Sequence, residues 1–561
     1  MNRTTAVRSL VLWLLLTSLV MAQPDVWLGG PGSNAWEIGQ NWADGRAPMA
    51  GDDVIINQEA PTHPIIVFPE FAKVVTVGES APGQLDIISG GILEAEQFVL
   101  GAASAATGKL NVGGVVITNP PTSGISLILG LVPGSSGEVN LSAGGIFNGI
   151  SVLIGGLGNG TLNLMDPSVV FNVDTLTVGD AGSSNGTVHQ MAGTIGPALD
   201  YVLGATANAT GIVNQTGGTT HVGRNLVLTG MSADSTATYH LDGGVLDLMG
   251  GDIVFGSGFA SFNYLRGSLR NVGTFGGALN QTGGVLAPGD GIGTLTIQGD
   301  FDQGPAATYE VEIDGANNLT DLIDVQGAAV LGGDVEFVVR SRFPVLGEDM
   351  TYSQTILTAT AGVTEPPQMV LDPYLEFPSP GHIALGLFLR DFMIVGNSVV
   401  AEYFQSVEGD TDGDSDVDIT DFNTLALKFD PDGLNVNDWP EADFDQNGTV
   451  DITDFNDLAL NFTPNGYAGE GQAVPEPSSW PLALAALVMA VAGWRVNLGR
   501  VRAVGASLGP PKRDDSPQKH PTLARSAHSS QLSKTPTPFR YRNLCQVEIR
   551  QSSQRRTGRR Q

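Results

Sequence analysis

Cysteine is all but missing from this chain. One residue in 561, Cys545, is a cysteine, so no intrachain disulfide can staple the fold. Charge is scarce as well, at 15% of residues, well below an average soluble domain. Basic side chains are the rarest: up to Trp494 there are 12 Lys and Arg against 55 Asp and Glu. A body that acidic repels polyanions, which excludes a nucleic-acid surface there, and it suits a space outside the cell where divalent cations are plentiful. Helical periodicity is also missing. Across residues 75–299 no stretch holds apolar residues at three- and four-residue spacing for three turns, which disfavours helical repeats. The fixed Leu ladder of a leucine-rich repeat is missing too.

What is present is glycine, 74 residues of it, in a regular pattern. A short apolar run ends in Gly at Val77-Gly78, Leu100-Gly101, Leu129-Gly130, Ile154-Gly155, Val178-Gly179 and Leu203-Gly204, and again at Thr229-Gly230 and Phe255-Gly256. A second marker, Asn, His or Asp before a Gly-rich bend, falls at Asp86, Asn111, Asn140, Asn163, His189, Asn214 and His240, with spacings of 25, 29, 23, 26, 25 and 26. Two markers keeping one period indicate a solenoid. Runs of Val, Ile, Leu and Thr broken by Gly-Gly, Asn-Gly or Ser-Gly are strand and turn chemistry. The expectation is a mainly β fold, a right-handed parallel β-helix with about one coil per repeat. In it the Asn/His position stacks on itself and satisfies turn amides.

The ends of the chain read differently. Residues 1–22, with Arg3 and Arg8 before an apolar run from Leu10 to Val20 and a small-residue site at Ala22, read as a secretory signal peptide. Residues 23–72 carry Trp27, Trp36, Trp42, Pro48 and Gly51-Asp52-Asp53-Val54, a segment expected to cap the first coil, with an aromatic sugar platform as the alternative. Repeats fill 73–300, and 301–404 reads as a C-terminal β cap. The Trp-rich entry, together with Leu286-Ala-Pro-Gly-Asp-Gly, Gly293-Thr-Leu-Thr-Ile and Tyr309-Glu-Val-Glu-Ile, resembles autotransporter-type β-helix repeat proteins over residues 25 to about 365.

Many β-helices are polysaccharide lyases or hydrolases, and each chemistry demands its own set of residues. Between Val75 and Gly299 the basic residues are Lys109, Arg224, Arg266 and Arg270, a thin supply for a lyase base. The nearest approach to paired hydrolytic carboxylates is Asp242, Asp247 and Asp252, whose five-residue steps alternate faces along a strand. His189 and His240 occupy the Asn position and read as stacked residues rather than metal ligands. No enzymatic activity is expected.

The sharpest chemistry lies in 405–465. Asp410, Asp412, Asp414, Asp416, Asp418 and Asp421 recur 33 residues later as Asp443, Asp445, Asn447, Thr449, Asp451 and Asp454. Oxygens at loop positions 1, 3, 5, 7, 9 and 12 supply the about seven ligands a calcium ion takes. The following stretches, Asp-Phe-Asn-Thr-Leu-Ala-Leu-Lys-Phe and Asp-Phe-Asn-Asp-Leu-Ala-Leu-Asn-Phe, place Phe422, Leu425 and Phe429, and Phe455, Leu458 and Phe462, on one helical face each. Val417 and Val450 are placed to pair between loops. The module resembles a type I dockerin. That resemblance implies Ca2+ ligands at Asp410, Asp412, Asp414, Asp416 (by its carbonyl) and Asp421, then Asp443, Asp445, Asn447, Thr449 (by its carbonyl) and Asp454. It also implies a cohesin-like partner met by Ile419, Thr420, Ile452 and Thr453. Ser415 stands where Gly usually takes the left-handed turn, which weakens loop 1.

Val474-Pro475-Glu476-Pro477, an apolar run to Trp494 and Arg495 resemble a PEP-CTERM sorting signal over 474–500, with 480–494 as a C-terminal transmembrane helix and an exosortase as processing partner. The tail 501–561 is basic and low in apolar residues, and reads as disordered. Taken together the sequence reads as an exported envelope protein, structural or adhesive, with a protein or extracellular polysaccharide as partner. The rival reading is a polysaccharide-degrading enzyme carried by its dockerin.

Overall fold

The computed structural model describes residues 23–463, except 31, 121–123, 198, 230–231, 316, 342–350, 365–386, 415, 435–436 and 446. The segments expected as signal peptide, sorting signal, transmembrane helix and disordered tail lie outside the described residues. Among the described residues no helix is long and apolar enough to cross a membrane.

Residues 25–359 form a right-handed-type parallel β-solenoid of about 12 turns. A coil carries three short strands, for instance Gln97–Leu100, Thr107–Val112 and Val115–Thr118. Each pairs in parallel with its equivalent one coil on, so three ladders run along the molecule. Leu100 meets Leu129 and then Ile154. Leu110 meets Val139 and then Leu162. Val116 meets Phe147 and then Phe171. Period-two alternation sends these residues inward, where all are fully buried. Phe147 and Phe171 stack at 4.9 Å.

The glycine that ends the first strand has two physical reasons. At Gly101 φ is +74°, a left-handed corner, and a Cβ there would sit 2.2 Å from the Ser136 carbonyl oxygen of the next coil. Gly78, Gly130, Gly155, Gly179 and Gly204 repeat that geometry. In one coil the corner residue is Thr229, at φ +63°, because Leu228 aligns with Leu203. The marker Thr229-Gly230 is therefore displaced by one residue from the corner.

The Asn/His marker lies within the strand, just before the Gly-rich bend. Leu110 and Val112 point inward, so Asn111 between them points outward in mid-strand, half-buried. Its equivalents join side chain to side chain. Asn111 donates to Asp86 at 2.7 Å, Asn140 to Asn111 at 3.0 Å and Asn163 to Asn140 at 2.7 Å. Further along, Asn214 lies 3.4 Å from His189 Nδ1 and Asn263 lies 3.1 Å from His240 Nδ1. These residues satisfy one another across coils rather than turn amides.

The ladders extend beyond the legible repeat. Asp25–Val26 already pairs with Val54 and Ile55, and Ile323 pairs with Leu357 in Thr351–Ala359. From Thr236 the second and third strands fuse. Thr236–Asp247 is continuous and pairs with both Thr210–Gln215 and Thr219–His221. Backbone pairing needs only alternating apolar residues, not the Gly and Asn markers by which the repeat was recognised.

Both ends of the stack are closed. Trp27, Trp36 and Trp42 are fully buried, with ring centroids 5.0 and 4.6 Å apart, and the Trp42 indole N–H donates to the Trp36 carbonyl at 2.7 Å. They cover the first coil and offer no exposed row of rings for a sugar. At the other end Thr351–Ala359 pairs antiparallel with Ser398–Gln405, and that strand pairs antiparallel with Leu387–Val395. The reversal ends the parallel stack.

Candidate metal centre

Directly after the terminal hairpin come two acidic loops, each leading into a short helix: α1, Ile419–Lys428, and α2, Ile452–Leu460. Each helix starts in a capping box. Asp418 accepts from the Thr420 amide at 2.5 Å and Asp451 from the Thr453 amide at 2.6 Å. In return Asp421 accepts from the Asp418 amide at 2.8 Å and Asp454 from the Asp451 amide at 2.9 Å. Asp421 and Asp454 thus bind back to the loop while starting the helix.

The same two carboxylates also hold the loop entrance. Asp421 accepts from the Thr411 amide at 2.7 Å, and Asp454 from the Phe444 amide at 2.7 Å. Asp410 accepts from the Gly413 amide at 2.7 Å. Asp443 accepts from Gly448 at 2.7 Å and from Asn447 at 3.1 Å. Asn447 Oδ1 accepts the Thr449 amide at 2.8 Å. Asp410, Asp421, Asp443 and Asp454 are all buried.

Carboxylate oxygens converge in three places. Those of Asp443, Asp445 and Asp454 lie within 4.8 Å of one another, bringing positions 1, 3 and 12 of loop 2 together. In loop 1 the convergence is split: Asp410, Asp412 and Asp414 form one group, and Asp416, Asp418 and Asp421 the other. Asp416 belongs to the second of these groups. Ser415 lies outside the described residues.

Burial pushes Asp443 up to about 6, with Asp454 and Asp445 adding repulsion. Asp412, Asp416 and Asp454 are raised too, burial being the first cause in each. Burial and repulsion between acids cause these shifts, and among the described residues no basic side chain offsets them. A hard dication with oxygen preference fits such a donor set.

Two features were missed in the sequence. Asp418 and Asp451 act as helix caps, a role the Asp-x-x-Asp spacing could have revealed. Asp457, one turn after Asp454, is also raised to about 6, by burial and then by Glu408 and Asp454.

Among the described residues, the backbone pairing that interlocks the two halves does not join Val417 to Val450. Val417 bridges Thr463, beyond α2, and the Val450 carbonyl accepts the Asp430 amide, beyond α1, at 2.9 Å. Each loop thus pairs with the chain leaving the other half. Both valines are fully buried, beside Leu425, Leu458, Trp439 and Phe444. Phe422 and Phe455 meet edge to face at 6.4 Å. Phe429 and Phe462 follow the helix ends and stay exposed, because the helices stop before those positions come round to the buried face. The four residues expected to meet a partner, Ile419, Thr420, Ile452 and Thr453, are all exposed.

The solenoid offers nothing comparable. Asp242 pairs with Arg266 at 2.7 Å. Asp247 accepts from Asn271 at 2.9 Å and faces His221 at 3.4 Å. Asp252 stands on another ladder, against Asn225. Among the described residues, clusters of three potential ligands occur only in the acidic loops. His189 and His240 are separated by Asn214 along their column.

Comparison with known proteins adds one finding. Residues 473–498 match the PEP-CTERM protein-sorting motif. The motif marks the chain for export, for processing by an exosortase and for sorting to the cell envelope. No curated protein matches the chain.

Proposed function

We propose that this exported β-solenoid is a structural or adhesive component of the cell surface, without enzymatic activity, whose acidic module binds calcium and docks a cohesin-like partner. The observation that carries the reading is the duplicated loop and helix. Buried Asp421 and Asp454 each tie a loop entrance to a helix start, beside converging acids. Chelation would neutralise those acids and fix both helices. Exposed Ile419 and Ile452, at 59% and 60%, form a matched pair suited to a partner. Anchoring by 480–494 completes the proposal.

Calorimetry of the full chain with calcium tests it. Binding heat that Asp443→Ala removes or weakens at least tenfold supports the metal assignment. No heat with the unsubstituted chain overturns it. A lyase and hydrolase screen on acidic and neutral glycans should come out blank.

A further inference from the structure

The acidic module is not a free appendage of the solenoid. The terminal hairpin, Leu387–Val395 with Ser398–Gln405, is a wall between two cores. Leu389, Phe392, Val399, Ala401 and Tyr403 face the solenoid core. Phe388 and Phe404, cross-strand partners with rings 6.0 Å apart, face the other way. They belong to the core of the acidic module, with Val407, Val417, Leu425 and Leu458. Period-two alternation is what gives one hairpin two partners.

Loop 1 is pressed against that wall. Gly413, at φ +72°, lies so close to Phe388 that a Cβ there would sit 2.5 Å from its ring. The Gly413 amide is held by Asp410, and the Asp410 carbonyl accepts the Trp439 indole N–H at 2.8 Å. Only Ser406, Val407, Glu408 and Gly409 separate the last strand from Asp410. A Cβ at Gly409 would sit 2.9 Å from both Leu458 and Val417, so this link has no slack. Asn461, beyond α2, donates to the Glu408 carbonyl at 2.7 Å and ties the far half of the module to the same link.

We infer that cation occupancy of the acidic loops locks the terminal hairpin, making the module a calcium-dependent clamp on the C-terminal end of the solenoid. The inference rests on the calcium reading above and goes beyond it. Ordering Asp410 orders Gly413, Gly413 bears on Phe388, and Phe388 is carried by the strand that closes the stack. A solenoid end that loosens exposes a row of unpaired backbone groups able to template another chain. The clamp therefore opposes end-to-end association wherever calcium is abundant.

Hydrogen exchange of the full chain, with calcium or with chelator, tests the clamp, and calorimetry on the same samples reads metal binding independently. Expected is at least tenfold slower exchange of residues 387–405 with calcium, while residues 107–164 in mid-solenoid do not change. Phe388→Ala should still give calcium binding heat in calorimetry while losing the protection of the hairpin. Phe388→Leu, which keeps an apolar contact, should retain most of it. Calcium heat with hairpin exchange unaltered would overturn the clamp and leave the metal site standing. Absence of heat overturns both.

Discussion

Gly155 offers the most direct test of why the coils stack as they do. Its φ is +76°, and a Cβ there would lie 2.6 Å from the Asn185 carbonyl oxygen, 2.7 Å from its carbon and 2.9 Å from the Gly186 nitrogen. Gly155→Ala therefore carries two costs. Left-handed backbone for an L-residue costs about 1–2 kcal/mol. The overlap is with backbone, which cannot rotate away, so the next coil must shift. The shift strains the Gly155 amide bond to Leu129 and the Gly179 amide bond to Ile154, at 3.0 and 2.8 Å, each worth about 0.5–1.5 kcal/mol. The sum is about 2–5 kcal/mol. Thr229→Gly is the reciprocal change at an equivalent corner. It relieves about 1–2 kcal/mol of strain. It also loses the Thr229 hydroxyl that accepts the Gly258 amide at 3.3 Å, and a buried methyl worth about 0.8 kcal/mol. The net should lie within about 1 kcal/mol of zero. Denaturant melts of both variants, with hydrogen exchange to localise the damage, give the comparison. A Gly155→Ala variant as stable as its parent would refute the stacking argument, since φ and contact both forbid it.

Other outcomes follow from the same geometry. Trp36→Ala should lower stability by about 3–5 kcal/mol, with exchange rising first in residues 25–77, because Trp36 packs on Trp42 over the first coil. Gln215→Leu should destabilise by about 1–3 kcal/mol. It strands the Val245 carbonyl, which now accepts the Gln215 amide at 2.8 Å inside the coil, and the Tyr239 hydroxyl that donates to the Gln215 carbonyl at 2.6 Å. Asp321 gives a pH signature. It is buried, accepts amides from Gly293 and Glu312 at 2.7 and 2.9 Å, and burial raises it to about 7 from 3.8. A raised acid binds its proton more tightly in the folded state, so stability falls as pH rises from about 4 to about 7. Asp321→Asn should flatten that slope in melts across this range, and an unaltered slope would exclude Asp321 as its source.

The pattern of Leu110, Asn111 and Val112 shows how far reading along the chain could go. Alternation within a strand is local, so strand chemistry and a coil period near 25 were legible from residues alone, as were the duplicated acidic loops and their two helices. The sorting motif was legible for another reason: it is read as a linear string. The placement of Asn111 was not. Which residues of a coil turn inward depends on register with the coils on either side, and no single coil states it. Gln190 and Gln215 make the same point. They look like surface residues, yet both are fully buried where their amides can reach carbonyls of their own and the next coil.

By itself the sequence determined the secondary structure type, the repeat and the chemistry of the acidic loops, because each depends on residues close together in the chain. Only the tertiary structure decided where the ladders begin and end, that Thr229 takes a glycine corner, and that loop 2 gathers its acids while loop 1 divides them. It alone placed Phe388 and Phe404 on the far face of the terminal hairpin, against the acidic module. Those are contacts between distant segments, fixed by stacking and burial, and the order of residues carries no record of them until the coils are wound.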